Sequence, residues 1–129
     1  MAMPAATWLS ATVAEALRCC LRADDIAFCY GGEEFMVLLQ NTPLEGAVRV
    51  AESIRGRVEQ LHLTKHEREP VPCTVSLGVA SRNGRDDRES LVGRVDRALY
   101  LAKHRGRNQV VDENLLGRIR GRRKNSLTW

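Results

Sequence analysis

The chain of 129 residues has no apolar run long enough to span a bilayer, and its start lacks the charged stretch and apolar core of a secretory signal. It is expected to carry no membrane segment and to work in the cytoplasm. No Cys-x-x-Cys pair occurs among Cys19, Cys20, Cys29 and Cys73, and two of the four are adjacent. That spacing excludes the usual zinc site and a disulfide framework, and it predicts reduced cysteines in the core. No Walker-type glycine-rich loop is present, which excludes a P-loop nucleotide site. Internal repeats and low-complexity segments are also missing. The net charge of +4 is gathered largely towards the C-terminus, so no nucleic acid is expected on the folded body.

The length is that of one domain, with 43% apolar residues to fill a modest core. Residues 1–7 read as a frayed start. Leu9, Val13, Ala16, Leu17, Cys20 and Leu21 then recur at helical spacing. Two short strand-like runs, Ile26 to Tyr30 and Phe35 to Leu39, follow a polar break. Thr42 is a candidate N-cap, with Pro43 at the first helical position and Glu45 at the third. Leu44, Ala47, Val48, Ala51, Ile54, Val58 and Leu61 form the stripe of a second helix. Residues 62–71 read as a loop or a short edge hairpin, with His62 and His66 on the surface. Cys73 to Ala80 alternates large and small side chains, which predicts a strand with its small face closely approached by a helix. A third helix runs from about Glu89 to His104 and stops at Gly106, followed by a last strand over 109–111. The order α-β-β-α-β-α-β predicts an α+β sandwich with helices over one sheet. Residues 112–129 form a basic tail, expected to be disordered, whose runner-up role is a weak electrostatic contact with nucleic acid or an anionic membrane surface.

Three polar features stand out. Gly31 and Gly32 lie between the two strand-like runs, followed by the adjacent carboxylates Glu33 and Glu34. Such a hairpin tip reads either as a solvated acidic turn or as a place for a divalent cation, since Mg²⁺ takes a few carboxylate oxygens plus substrate phosphates. Arg22 and Asp25 form an Arg-x-x-Asp pair upstream. Lys103 and Arg107 lie four apart across the end of the third helix. Carboxylates for a metal and a Lys/Arg pair fit chemistry on a polyphosphate, where charge neutralisation and positioning matter most.

Together, Gly31-Gly-Glu-Glu-Phe35, Arg22-Ala-Asp-Asp25, Val75-Ser-Leu-Gly-Val79 and Ala98-Leu-Tyr-Leu-Ala-Lys-His-Arg-Gly-Arg-Asn108 resemble the GGDEF domain of bacterial diguanylate cyclases, in a GGEEF form, over residues 8–111. The resemblance implies an adenylyl-cyclase-like palm. It implies condensation of two GTP into cyclic di-GMP and two pyrophosphates with Mg²⁺ or Mn²⁺, in a homodimer or beside another GGDEF domain. By resemblance, Glu33 and Glu34 are catalytic and bind the metal. Gly31 and Gly32 leave room for the nucleotide, Lys103 and Arg107 hold its terminal phosphates, and Arg22 and Asp25 grip cyclic di-GMP at an inhibitory product site.

The chain departs from the family pattern in several places. The family's first strand and helix, with their metal-binding aspartate and guanine-binding asparagine, have no counterpart before residue 8. Thr7, Cys29 and Ser53 stand where the pattern has an aspartate, usually an arginine, and in some members an arginine. The chain therefore reads as a partial domain, either a fragment of a longer gene or a truncated one, expected to be weak or inactive alone. The alternative is a non-catalytic module that binds cyclic di-GMP, or pairs with a partner, through Arg22 and Asp25. The family's missing strand is central, so the Phe35–Leu39 and Cys73–Ala80 strands are expected to lose their shared neighbour.

Overall fold

The computed structural model describes residues 5–29, 34–60, 63–64, 70–71 and 73–115. Gly31, Gly32, Glu33, His62, His66, the first four residues of the expected frayed start and the tail from residue 116 lie outside the described residues. The chain divides into two compact units, Met1–Thr42 and Pro43–Trp129.

In the first unit, α1 (Ala5–Cys20) precedes β1 (Ile26–Cys29) and β2 (Phe35–Leu38). The helix begins before Trp8, inside the segment expected to fray. Val13, Ala16 and Leu17 of the apolar stripe are buried. β1 and β2 pair antiparallel, from Ile26 opposite Leu38 to Cys29 opposite Phe35. Side chains alternate across a strand, so Ile26, Phe28, Met36 and Leu38 share one face. Ile26, Phe28 and Leu38 on that face are exposed.

The second unit begins with α2 (Leu44–Gln60) and continues through β3 (Leu63–Thr64), β4 (Pro70–Val71), β5 (Leu77–Val79), α3 (Arg88–His104) and β6 (Val110–Asp112). β3 and β4 form a two-residue antiparallel pair, the short hairpin that was one of the two readings of residues 62–71. β5 and β6 pair parallel. Parallel neighbours need a long crossover, and α3 supplies it. Both α2 and α3 pack against β5 and β6. Ala51, Ile54, Val58, Ala98, Ala102 and Val111 are buried there.

α3 is well specified at both ends. Asp87, with φ −89° and ψ 178°, is its N-cap and accepts from the Ser90 N–H at 2.8 Å. Glu89 in the first turn and Lys103 and His104 in the last suit the helix dipole. Its seat on the sheet depends on Gly78: a Cβ there would meet the Leu99 N, with the Val95 O at 2.5 Å and the Ala98 C at 3.0 Å. The strand expected over 73–80 is reduced to Leu77–Val79, but its small face does receive a helix as the alternation implied.

A polar tie joins the loops flanking the β5–α3–β6 unit. Arg94 on α3 donates to the Ser81 carbonyl at 3.1 Å and forms ion pairs with Asp86 and Glu113. The Ser81 N–H donates to Glu113 at 3.3 Å. Beyond β6 the chain does not lapse at residue 112. Asp112 Oδ1 accepts from the Asn114 and Leu115 N–H groups, and Leu115 packs against Ala98, Ala102 and Val111.

Two expectations are corrected. The cysteines are free, but none is in the core: Cys19 and Cys29 are exposed, Cys20 and Cys73 half-buried. Cys19 and Cys29 lie off the buried helix stripe and on the exposed strand β1. Partial burial pushes the Cys73 thiol up. Thr42 does not serve simply as the helix cap, because its hydroxyl is engaged by the hairpin unit, as described below. Among the described residues the strands form three separate pairs, and neither β2 nor β5 has a third strand beside it. No described helix is long and apolar enough to cross a membrane.

Gly78→Ala forces a methyl into α3 backbone and should cost ~2–3 kcal/mol in urea unfolding, whereas Gly56→Ala, with nothing within 4 Å, should be neutral or gain ~0.5–1 kcal/mol of helix propensity. The Asn83 N–H above all, then the Ser90 hydroxyl and Arg94, hold the Asp86 carboxyl below its ordinary value, against partial desolvation. A depressed carboxylate contributes stability that is present above its unfolded pKa of about 4 and is lost as pH falls through the lower folded value. The urea midpoints of wild type and Asp86→Asn should therefore differ at pH 7, begin to approach each other only as pH falls below about 4, and meet below the depressed folded value.

Candidate functional site

In the first unit, Arg22 and Asp25 close a tight turn after α1. The Arg22 N–H donates to Asp25 Oδ2 at 2.9 Å, and the Asp25 N–H donates to the Arg22 carbonyl at 3.1 Å. The arginine side chain then reaches the far end of the hairpin. Its Nη2 donates to the Gln40 carbonyl at 3.1 Å and to Thr42 Oγ1 at 2.8 Å. Thr42 Oγ1 in turn donates to the Gln40 carbonyl at 2.8 Å. Nε lies 3.6 Å from Asp25 Oδ2. The Asp25 side chain is only 2% exposed and its Oδ1 is buried without a partner, while the Arg22 side chain is 64% exposed. The Arg-x-x-Asp pair thus organises the turn itself, and its arginine also faces solvent.

Glu34 is exposed immediately before β2. The register of Cys29 opposite Phe35 brackets the Gly31-Gly32-Glu33-Glu34 segment between paired strand ends. Among the described residues there is no group of three or more His, Cys, Asp or Glu able to hold a metal ion. An ion at this segment would depend on the two adjacent glutamates and on oxygens of a bound phosphate, which is the donor set Mg²⁺ accepts.

In the second unit, Lys103 and Arg107 flank the end of α3. Gly106 has φ +112°, and Arg107 and Asn108 also have positive φ, 62° and 46°. The Arg107 N–H donates to the Ala102 carbonyl at 3.0 Å, the six-to-one bond of a Schellman cap. Gln109 Nε2 donates to the Arg105 and Arg107 carbonyls at 2.9 and 3.2 Å. Lys103 is half-buried and Arg107 exposed. Asn108 Oδ1 accepts from Arg55 Nη1 at 3.1 Å, and its Nδ2 donates to Glu59 Oε2 at 2.5 Å. Sequence reasoning assigned no role to Asn108, Arg55 or Glu59. Glu52 three residues before Arg55 and Glu59 four after it signal ion pairs along α2, but nothing local points to a partner 49 residues from Glu59.

The sequence profile described as "Diguanylate cyclase, GGDEF domain" matches residues 9–109. The chain belongs to the GGDEF family. Diguanylate cyclase DgcM of Escherichia coli (strain K12) is 43% identical over 99 residues, which are 77% of this chain and 23% of that protein. This GGDEF chain therefore spans about a quarter of that relative's length. The crystal structure of the GGDEF domain of DgcB from Caulobacter crescentus, in complex with c-di-GMP, superposes with a TM-score of 0.79 at 28% identity, over 83% of this chain and 64% of that one. The active GGEEF domain of a diguanylate cyclase from Vibrio cholerae gives 0.70 at 29% identity, over 83% and 67%. The mixed helix and strand architecture is consistent with the palm fold.

The Arg22 geometry gives a direct outcome. Arg22→Ala removes two bonds that hold the chain after β2, and should cost ~1 kcal/mol in thermal unfolding. Amide exchange in residues 40–42 should quicken, measured by hydrogen-exchange mass spectrometry.

Proposed function

We propose that this chain carries nucleotide-handling elements of a diguanylate cyclase, which condenses two GTP into cyclic di-GMP and two pyrophosphates. The observation that carries the reading is the left-handed turn after α3, which sets Arg107 in solvent one turn beyond Lys103. In this reading Lys103 and Arg107 hold the terminal phosphates, and the fork of the arginine suits two phosphate oxygens at once. Gly31 and Gly32 leave space for the nucleotide. Glu33 and Glu34 would hold Mg²⁺ or Mn²⁺ together with phosphate oxygens, and Glu33 helps take the proton from the attacking 3′-hydroxyl. The ion supplies charge neutralisation at the transferring phosphoryl group. Each GTP has its own domain, so a second copy or another GGDEF domain completes the pair. Arg22, exposed beside the turn it shares with Asp25, would meet the phosphates of cyclic di-GMP as the inhibitory product.

The support is the conjunction of family membership, the neighbouring GGDEF structure in complex with c-di-GMP, and the exposed Arg107 after α3. Calorimetry of the full chain with GTP and with GMP checks it. Arg107→Ala should weaken GTP by ~10-fold or more, the worth of one charge-assisted contact, and leave GMP unchanged. Equal losses for both nucleotides would place the triphosphate elsewhere.

A further inference from the structure

We propose that Asn108 is a positioning residue for the phosphate-binding turn, held by a clasp with Arg55 and Glu59 of α2. This rests on the assignment of Lys103 and Arg107 to the phosphates. Gly106 tolerates φ +112°, but Arg107 and Asn108 follow it with positive φ and carry side chains. A non-glycine residue is disfavoured in that region unless its surroundings hold it there. Asparagine is one of the few that tolerate it, and here its carboxamide is bonded at both ends. Oδ1 accepts from Arg55 and Nδ2 donates to Glu59. Arg55 Nη1 also donates to Glu59 Oε2 at 2.9 Å, closing a triangle. Arg55 Nε donates to Glu52 at 2.9 Å, which fixes the plane of the guanidinium. The Asn108 contact is the first cause holding the Glu59 carboxyl below its ordinary value, with Arg55 adding to it.

The clasp therefore ties the turn to α2, a separate element of the same unit. The Arg107 backbone is fixed on both sides, by its N–H on Ala102 and its carbonyl under Gln109, while its side chain is exposed. Lys103 lies within the helix and keeps its place without the clasp. Aspartate at 108 would offer acceptors only and face Glu59 with a like charge. Alanine would remove both bonds, and glycine would keep the backbone freedom while losing them.

The experiment measures amide exchange at Arg107 and Gln109, and GTP affinity by calorimetry, on the full chain. The variants are Asn108→Ala, Asn108→Asp, Glu59→Gln, Arg107→Ala and the double variant Asn108→Ala/Arg107→Ala. Asn108→Ala and Asn108→Asp should speed exchange and weaken GTP by ~10-fold. Glu59→Gln, which keeps an acceptor, should stay near wild type. The double variant should bind no worse than Arg107→Ala alone, because the clasp acts through that arginine. Unchanged exchange in Asn108→Ala overturns the clasp. Faster exchange with unchanged GTP affinity, where Arg107→Ala does weaken GTP, overturns the positioning role. Additive losses in the double variant overturn it as well. If Arg107→Ala leaves GTP affinity unchanged, the phosphate assignment fails and takes the positioning role with it, and the exchange arm then reports only a structural clasp.

Discussion

The second unit depends on how closely α3 can approach β5. At Gly78 the strand meets helix backbone at distances no Cβ occupies. Glycine there lets Ala98 and Ala102 become fully buried against Val111. The chosen side chains on the helix are correspondingly small, and larger ones would hold it away. Because the helix lies that close, it can return the chain to form β6 parallel to β5. Burial of apolar surface at this contact is the main stabilising term, and it is short-ranged.

The polar groups of α3 act at its two ends. Near its start, Arg94 gathers Ser81, Asp86 and Glu113 from the loops after β5 and β6. Beyond its end, Asn108 reaches Arg55 and Glu59 on α2. A half-buried guanidinium with several acceptors limits the ways the loops can settle, since an unpaired buried charge is costly. In the turn after α3, Arg107 is held at a positive φ that its side chain disfavours. The bonds from Asn108 to α2 hold that turn, and the same turn presents Arg107 of the proposed phosphate site.

In the hairpin unit, Arg22 serves two demands. It bonds the chain after β2 and also lies in solvent beside a buried aspartate. The Asp25 carboxylate is committed to the turn through one oxygen. Any ligand at this pair meets a preformed corner, which lowers the ordering cost of binding.

The sequence by itself determined what depends on neighbours along the chain. The helical stripes, the two paired runs around the Gly-Gly-Glu-Glu segment, the Gly106 stop and the small-residue face of β5 are all local patterns. Family membership also followed from short motifs, because their spacing is preserved whatever they contact. Tertiary structure decided the rest. The alternation at 73–80 spread over eight residues, yet only three pair, because pairing depends on the reach of β6. The cysteines looked like core residues by type, but burial depends on what covers an element, and Cys29 lies on an exposed strand. Thr42 fitted a helix cap locally until Arg22, 20 residues earlier, took its hydroxyl. Asn108 was legible as the residue after a helix stop. Its bonds to Arg55 and Glu59 were not, because contacts across 49 and 53 positions leave no periodic trace and exist only once α2 and the turn are packed together.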